Sequence, residues 1–425
     1  MKKGVGSDLL TARGKAIVGD LRRVNRSVVL RPLFFEGPLN RVDLGQLTGL
    51  SSGSITNLTA ALLEEGLIVE VGFEQSDGGR PRVMLQVNPE FGAVIGVEIG
   101  ETGVRVEGFD LRLRVAGVAE VGLHPQHHDA DVTVEETVKA VERIQAQFSA
   151  EGRRLLGVGV AVPGIVEHRV DDARVHAPII GWHDVPLERL VRERVGAPVF
   201  VENGAKALGQ VEMWFGAGRG THHTVITLWG TGVGAAIFTN GTLYRGAASS
   251  AGEWGHNCII AGGRRCRCGS TGCLEAYIGA EPLLAAWREA DPQASPSSDP
   301  DEEGWADRFL QAAESSAAAA RILEEAANCY GVAAANLANL FNPELIVIGG
   351  WLGLKLGPTL LDRIREVVRE QALDYTANCV RIELGRLGKD AVALGASALV
   401  VDELLSNGGI PLVAGRARLQ RAKLL

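Results

Sequence analysis

One short part of the sequence concentrates side chains that bind metals. It contains Glu253-Trp254-Gly255-His256 and, ten residues after the histidine, Cys266-Arg267-Cys268-Gly269-Ser270-Thr271-Gly272-Cys273-Leu274-Glu275. One imidazole and three thiols, those of His256, Cys266, Cys268 and Cys273, suffice for a tetrahedral structural zinc site. The alternative is a set of reduced cysteines that only pack. Because thiols this close together in a reduced chain usually share a metal, the spacing favours zinc.

Polar side chains that can bind hydroxyl groups flank these candidate ligands. Glu253 and Glu275 stand on either side of them, and Asn203 follows the apolar run 199–201. Carboxylates, an amide and an imidazole on a rigid support are the acceptors and donors that the hydroxyls of a sugar need. We therefore predict a sugar site made by Asn203, Glu253, His256 and Glu275, although each of them alone would be an ordinary surface residue.

The first 90 residues have the pattern of a winged helix-turn-helix. Apolar spacing predicts a helix over 25–35, a second helix that begins after Asn40, and a third that begins after Ser51 or Ser52 and ends before Gly66. Two strands around a polar loop then form a wing. The third helix and the wing supply the predicted DNA contacts, which are Ser52, Ser54, Thr56, Asn57, Arg80 and Arg82. A soluble three-helix domain with no DNA is the alternative.

Composition and charge limit the class of protein. With 425 residues, 46% hydrophobic and 22% charged, the chain is neither disordered nor fibrous. The net charge is −8, yet residues 1–31 hold eight basic and two acidic side chains, a local charge of +6. This asymmetry predicts an N-terminal module that faces a polyanion, with a solvated basic tail as the alternative. The absence of an 18-residue apolar run and of a secretory leader, together with only six cysteines, predicts a cytoplasmic protein with no membrane partner.

From residue 93 onward, Gly-punctuated apolar runs alternate with helical patterns. Strands are predicted over 94–99, 156–162, 199–201, 225–228 and 345–348, and helices over 132–148 and 317–340. Strands with helical crossovers indicate an α/β architecture with ligand loops at the strand ends. Residues 291–304, rich in Pro, Ser, Asp and Glu, are predicted to be an exposed insertion.

The whole pattern resembles the ROK family (repressor, open reading frame, kinase) from about Asn25 to Leu399. The resemblance is carried by Gly78-Gly79-Arg80-Pro81, Gly159-Val160-Ala161-Val162-Pro163-Gly164, Glu202-Asn203, Gly230-Thr231-Gly232-Val233-Gly234 and the two metal-site segments. It implies a winged helix-turn-helix at 1–90 followed by a two-lobed actin-like ATPase fold. The first lobe is expected at 91–202, completed by a C-terminal helix near 390–405, the second lobe with the zinc knuckle at 203–389, and a basic tail at 406–425.

The resemblance also implies that His256, Cys266, Cys268 and Cys273 hold zinc and that Asn203, Glu253, His256 and Glu275 line a sugar. Three positions depart from the kinases of the family. Glu98 and Glu101 stand in a first phosphate loop that kinases write Asp-x-Gly-Gly-Thr, and Gly204 stands where they have the catalytic Asp. Glu101 adds bulk and repulsion toward phosphates, and Gly204 cannot accept a proton.

We therefore expect that the protein has no catalytic residue and is not an enzyme. We predict instead a sugar-responsive repressor that binds operator DNA as a homodimer or homotetramer. The alternative is an ATP-dependent, glucokinase-like sugar kinase with an N-terminal regulatory domain, which the intact Gly230-Thr231-Gly232 segment keeps open. A second alternative concerns Lys206, which favours an anionic sugar if it points into the cleft but has no such role if it faces outward or pairs with Glu202.

Overall fold

The computed structural model describes residues 6–75, 81–123, 129–169, 172–292 and 302–412. It has a winged module at the N-terminal side and two lobes, each built on a five-stranded sheet. The predicted fold class, a winged helix-turn-helix followed by a two-lobed α/β body, is confirmed. The domain limits given above remain predictions.

The winged module has three helices and a two-stranded wing. Its elements are α1 (Gly6–Phe35), α2 (Arg41–Thr48), α3 (Ser52–Glu64), β1 (Ile68–Glu74) and β2 (Arg82–Val87). Asn40 begins α2, because its side chain accepts hydrogen bonds from the amides of Val42 and Asp43 at 2.9 and 3.0 Å. Gly49, with a φ of +70°, ends α2, and Ser51 begins α3 two residues later.

The first lobe is a mixed sheet with helices against it. Its elements are β3 (Ala93–Ile99), β4 (Gly103–Asp110), β5 (Val115–Gly122), α4 (Ala130–Ala150), β6 (Leu155–Val162), β7 (Ile165–His168), β8 (Ala173–Ala177), β9 (Trp182–Val185), α5 (Leu187–Val195) and β10 (Val199–Asn203). The main sheet has the order β10-β6-β3-β4-β5, in which β10, β6 and β3 are parallel. Parallel pairing brings the carboxyl ends of β3, β6 and β10 to one edge, where the loops face the other lobe.

The second lobe begins with a helix that directly follows β10 of the first lobe. Its elements are α6 (Gly204–Phe215), β11 (Thr224–Trp229), β12 (Val233–Thr239), β13 (Thr242–Leu243), α7 (Glu275–Ile278), α8 (Ala280–Ala290), α9 (Glu302–Ala313), α10 (Ala317–Phe341), β14 (Leu345–Gly349), α11 (Trp351–Gln371), α12 (Asp374–Cys379) and β15 (Arg381–Leu384). The sheet order is β13-β12-β11-β14-β15. The core of this lobe is aromatic, with Trp229, Trp254, Trp287 and Tyr330 buried.

The helix α13 (Ala391–Ser406), the last one among the described residues, closes the first lobe and packs against α6. Small residues make this contact close. A Cβ at Gly96 would lie 1.9 Å from the carbonyl oxygen of Ala393, and one at Gly159 would lie 1.8 Å from that of Ala396. Glycine at these two positions is therefore required for α13 to lie directly on β3 and β6.

Two arginines of α1 connect the winged module to the body. Arg26 is buried, pairs with Glu65 and donates a hydrogen bond of 2.6 Å to the carbonyl oxygen of Gly408. Arg31 pairs with Asp402 on α13 at 2.8 Å. These two members of the basic N-terminal segment thus pair within the protein, whereas the charge-based prediction concerned the module as a whole.

Four aromatic residues form a second contact between the module and the body, here called the aromatic junction. Phe34 and Phe35, at the end of α1, lie against Trp214 and Phe215, at the end of α6. The ring centroids of Phe35 and Trp214 are 5.0 Å apart, and those of Phe34 and Trp214 are 5.9 Å apart.

No helix in the described part of the chain is long and apolar enough to cross a membrane.

Candidate functional site

A cavity between the two lobes collects the predicted sugar-site residues. Asn203, Glu253, His256 and Glu275 all line it, together with the loop 98–102 of the first lobe and the loop 230–234 of the second. The four residues come from β10, the turn 254–256 and the start of α7, so residues 72 positions apart meet in one place. The geometry agrees with the predicted grouping, and sugar binding by these residues stays a proposal.

Asn203 is fixed by the backbone around it. Its side-chain oxygen accepts hydrogen bonds from the amides of Ala205 and Lys206 at 2.9 and 3.3 Å, which makes it the N-cap of α6. Its side-chain nitrogen donates to the carbonyl oxygen of Gly164 at 2.7 Å. Any movement of Asn203 toward a ligand therefore moves the start of α6.

Glu253 is the carboxylate in the cavity that is best placed to accept a ligand's hydroxyl groups. It is half-buried, and no described residue donates a hydrogen bond to it. Burial raises the pKa of Glu253, whereas His256 and Lys206 act in the opposite direction. A carboxylate that has lost water without gaining a donor binds an incoming hydroxyl group more strongly than an exposed one does.

The cluster of His256, Cys266, Cys268 and Cys273 has the geometry of a metal site. The four ligand atoms lie within 4.8 Å of one another. The sulfurs of Cys268 and Cys273 are 3.8 Å apart, and Nδ1 of His256 is 3.7 Å from the sulfur of Cys266. When an ion has tetrahedral coordination and metal–sulfur bonds of about 2.3 Å, its ligand atoms lie about 3.8 Å from one another. The distances in the cluster therefore fit zinc. Because Nδ1 faces the cluster, Nε2 of His256 is left for the cavity.

Arg267, between two of the cysteines, joins the site to the first lobe. Its guanidinium group donates to both oxygens of Glu101 at 2.6 and 2.9 Å, and its Nε donates to Glu275 at 2.9 Å. Burial opposes the charge of Arg267, but the hydrogen bonds to these two carboxylates raise its pKa. The predicted repulsion by Glu101 is therefore reduced, because Arg267 pairs with the carboxylate, but the one guanidinium is shared with Glu275 and the bulk of Glu101 remains.

The Gly-rich loop 230–234 lies against two large side chains. The indole Nε1 of Trp351 lies 3.0 Å from the position of a Cβ at Gly230, and the guanidinium group of Arg267 donates to the carbonyl oxygen of Thr231 at 3.2 Å. At Gly204 there is room for a side chain, since the nearest atom to a Cβ there would be 3.7 Å away. A catalytic base is thus absent at position 204 because the residue is glycine, and not because a larger side chain would not fit.

Lys206 neither faces outward nor lines the cavity. It is 2% exposed, and its ammonium group donates to the carbonyl oxygen of Ser249. Burial lowers the pKa of Lys206, and the charge of Glu202 opposes this. The structure gives no support to an anionic ligand held by Lys206.

Glu202, beside Lys206, is the centre of a buried ion cluster. It is 1% exposed, pairs with Arg245 and lies 3.6 Å from Nε2 of His168. Burial alone would raise the pKa of Glu202, but the hydrogen bond from His168 and the charge of Arg245 lower it to about 2. The cluster ties β10 of the first lobe to the loop after β13 of the second.

On the winged module, the outer face of α3 carries most of the predicted DNA contacts. Ser52, Thr56 and Asn57 are exposed, Ser54 is half-buried, and Arg82 is exposed at the start of β2. The hydroxyl of Thr56 donates to the carbonyl oxygen of Ser52 at 2.8 Å. Asn57 makes no hydrogen bond with any residue that the structure describes, so its amide is free for a partner. Arg80 lies outside the described residues.

Arg267 and Trp351 are site residues that the sequence analysis did not select. The arginine stands inside the segment already identified as a metal site, but its partner Glu101 is 166 residues away. Trp351 follows Gly349-Gly350 at the end of β14, a strand whose C-terminal edge faces the cleft. That position was the signal that could have identified it.

The fold and the site together define a class of protein in which a winged DNA-binding module is joined to a body with the fold of sugar kinases. The ROK family model matches residues 94–403, and the chain belongs to this family. A putative xylose repressor from Caldicellulosiruptor sp. (strain Rt8B.4) is 30% identical over 397 residues, covering 91% of this chain and 97% of that protein. A glucokinase from Halalkalibacterium halodurans is 34% identical over 314 residues, covering 72% of this chain and 94% of that protein.

A solved structure is similar over nearly the same length as the repressor. It is the crystal structure of a ROK family transcriptional regulator described as a homologue of the E. coli Mlc protein. The TM-score is 0.76 with 25% identity, covering 92% of this chain and 98% of that chain. The similarity therefore includes the winged module as well as both lobes.

Proposed function

We propose that this protein is a transcriptional repressor that binds operator DNA through its winged module and responds to a sugar bound between its lobes. The repressor relative aligns with 91% of the chain, whereas the glucokinase aligns over 314 residues, about the length of the two lobes alone. The effector is a neutral sugar held by Asn203, Glu253, His256 and Glu275. By the name of that repressor relative, D-xylose is the first sugar to test.

The observation that carries this proposal is the position of α6. Its first turn is capped by Asn203 in the cavity, and its last turn ends at Trp214 and Phe215 in the aromatic junction with α1. A helix transmits a displacement of one end to the other because its backbone hydrogen bonds keep it rigid. A sugar that displaces Asn203 thereby changes the position of the winged module on the body. In a dimer, this changes the spacing between the two winged modules.

The proposal includes structural zinc in the cluster of one histidine and three cysteines. With all four positions filled by protein ligands, the ion would supply rigidity and not chemistry. Cys266 and Cys273 are buried, and burial raises the pKa of Cys273 to about 12. A divalent ion would replace the thiol protons and hold His256 and Glu275 at the cavity wall.

Binding of DNA is tested first. The full chain selects its site from random-sequence DNA, and fluorescence anisotropy then measures its affinity for the selected site and for random DNA. Asn57→Ala should weaken binding to the selected site by about 1–3 kcal/mol and leave random DNA unaffected. Asn378→Ala, an exposed Asn on α12, is the control and should change neither. Equal binding of both variants to the selected site would refute α3 as the recognition helix.

The response to sugar is tested on the same DNA. Calorimetry with D-xylose, D-glucose and N-acetyl-D-glucosamine should identify a ligand whose binding is lost in Glu253→Ala, while DNA binding without sugar is retained. Trp214→Ala should still bind that sugar but lose its effect on DNA. A full sugar response in Trp214→Ala would refute transmission through α6. Turnover of a sugar with ATP and magnesium, lost in Glu253→Ala, would instead support the kinase.

A further inference from the structure

The ion pair of Glu101 with Arg267, here called the interlobe ion pair, is a direct side-chain link between the loops of the two lobes. Glu101 belongs to the loop between β3 and β4, and Arg267 belongs to the second lobe, between two of the cysteines of the metal cluster. The two hydrogen bonds are parallel, at 2.6 and 2.9 Å, which is the strong bidentate form of an arginine–carboxylate pair. Both side chains are mostly withdrawn from solvent, with 23% and 18% of their surface exposed.

The same arginine holds parts of the cavity that are separate in the sequence. Its Nε donates to Glu275, whose other oxygen accepts the amide of Val233 at 2.9 Å. Its Nη2 donates to the carbonyl oxygen of Thr231. Arg267 thus connects the loop of the first lobe, the Gly-rich loop of the second lobe and a carboxylate of the cavity.

The three charged groups lie close together at Gly232, in the Gly-rich loop that resembles a phosphate loop of the family's kinases. A Cβ at Gly232 would lie 3.4 Å from Nη2 of Arg267, 3.6 Å from an oxygen of Glu275 and 3.8 Å from an oxygen of Glu101. The negative partner of the guanidinium group at this point is therefore a side chain of the protein. Removal of Glu101 would leave Arg267 with only one carboxylate and an open place for an anion.

We infer that Glu101 is a built-in anionic ligand that takes the place of a nucleotide phosphate and holds the cleft closed through Arg267. Closure then needs no nucleotide, and the position of Glu275 depends on a residue of the opposite lobe. The inference concerns the sugar site proposed above, but the closure itself is measured without any sugar. Glu101 acts as a positioning residue, since it reaches the cavity only through Arg267.

Hydrogen exchange followed by mass spectrometry tests this on the full chain. In Glu101→Gly, peptides that contain residues 100–103 and the amide of Val233 should exchange on the order of ten-fold faster than in the parent, because a charged hydrogen-bonded pair has been lost. Glu325→Gln is the control, because Glu325 also pairs with an arginine of the same segment, Arg264, whose Nη2 donates to both of its oxygens at 2.9 Å, but within the second lobe. It should leave exchange at both loops unchanged.

Chemical rescue separates the charge of Glu101 from its bulk. Inorganic phosphate at millimolar concentration should restore part of the lost protection in Glu101→Gly and have no effect on the parent. Unchanged exchange in Glu101→Gly, or faster exchange that phosphate does not reverse, would overturn the inference. A melting curve like that of the parent shows that the variant is folded, and Glu101→Gln, which keeps the bulk without the charge, should open the cleft as well.

Calorimetry with the sugar identified for the parent adds the functional consequence. Glu101→Gly should bind it about ten-fold more weakly, and Glu325→Gln should bind it like the parent. If no sugar binds the parent, the proposed function fails, while the exchange experiment still decides whether Glu101 closes the cleft. If the sugar binds parent and Glu101→Gly equally, the coupling of Glu275 to the opposite lobe is wrong.

Discussion

Replacement of the buried Glu202 by glutamine tests how strongly the ion cluster between β10 and the loop after β13 stabilises the protein. The carboxyl group has an ordinary pKa of 4.5 and a folded-state pKa of about 2. A pKa that is lower in the folded state means that ionised Glu202 favours folding. The contribution is complete above pH 4.5 and is lost as the pH falls toward 2. The difference corresponds to about 3 kcal/mol.

Urea unfolding followed by circular dichroism measures this contribution. Near pH 7, Glu202→Gln should lower the free energy of unfolding by about 3 kcal/mol, and near pH 3 by about half as much. Glu142→Gln, at an exposed carboxylate in the middle of α4, is the control and should have a small effect at both pH values. A Glu202→Gln effect that is the same at both pH values would refute the reasoning, because the stability would then come from packing and not from ionisation.

Three further changes test the metal cluster, the base position and the contact with α13. We expect the parent to contain close to one zinc ion per chain, and Cys268→Ser should lower both this zinc content and the melting temperature. A metal-free parent that is fully folded would contradict this. Gly204→Asp should fold but show no sugar phosphorylation in a coupled assay, since Arg267 and Trp351 lie against the Gly-rich loop 230–234 and Glu101 pairs with Arg267; turnover would refute the blocked site. Gly159→Ala should lower the free energy of unfolding by about 2–3 kcal/mol in urea titrations, because its Cβ meets a carbonyl oxygen at 1.8 Å. Gly122→Ala, with no atom within 4 Å of the new Cβ, should have a far smaller effect on the same titration.

The elements with local signals were predictable from the sequence. Asn40 and Ser51 accept hydrogen bonds at the starts of two helices, as their residue types indicate. The apolar runs that end in glycine became β3, β6, β11 and β14. These signals depend only on residues within a few positions of one another.

Other elements and contacts lacked such a signal. Strands β4 and β5 were not predicted, because Arg105 and Glu107 interrupt the apolar residues of β4, and glycines and Glu120 interrupt those of the edge strand β5, so neither forms a continuous apolar run. Charge gave no sign that Arg26 of the basic segment is buried against the carbonyl oxygen of Gly408, 382 residues away. The pairing of Arg267 with Glu101 likewise depends on the folding of both lobes.

The late position of α13 has a consequence for biosynthesis. Strands β3 and β6 are complete at Val162, but the helix that covers their glycines begins only at Ala391. At a synthesis rate of about 5–20 residues per second, the ribosome needs roughly 10–50 s to reach it. During that time the sheet has one open face, and α1 lacks the partner that Arg31 pairs with. The nascent chain is thus exposed to aggregation until α13 emerges, and Arg31 gains its partner on the body only then.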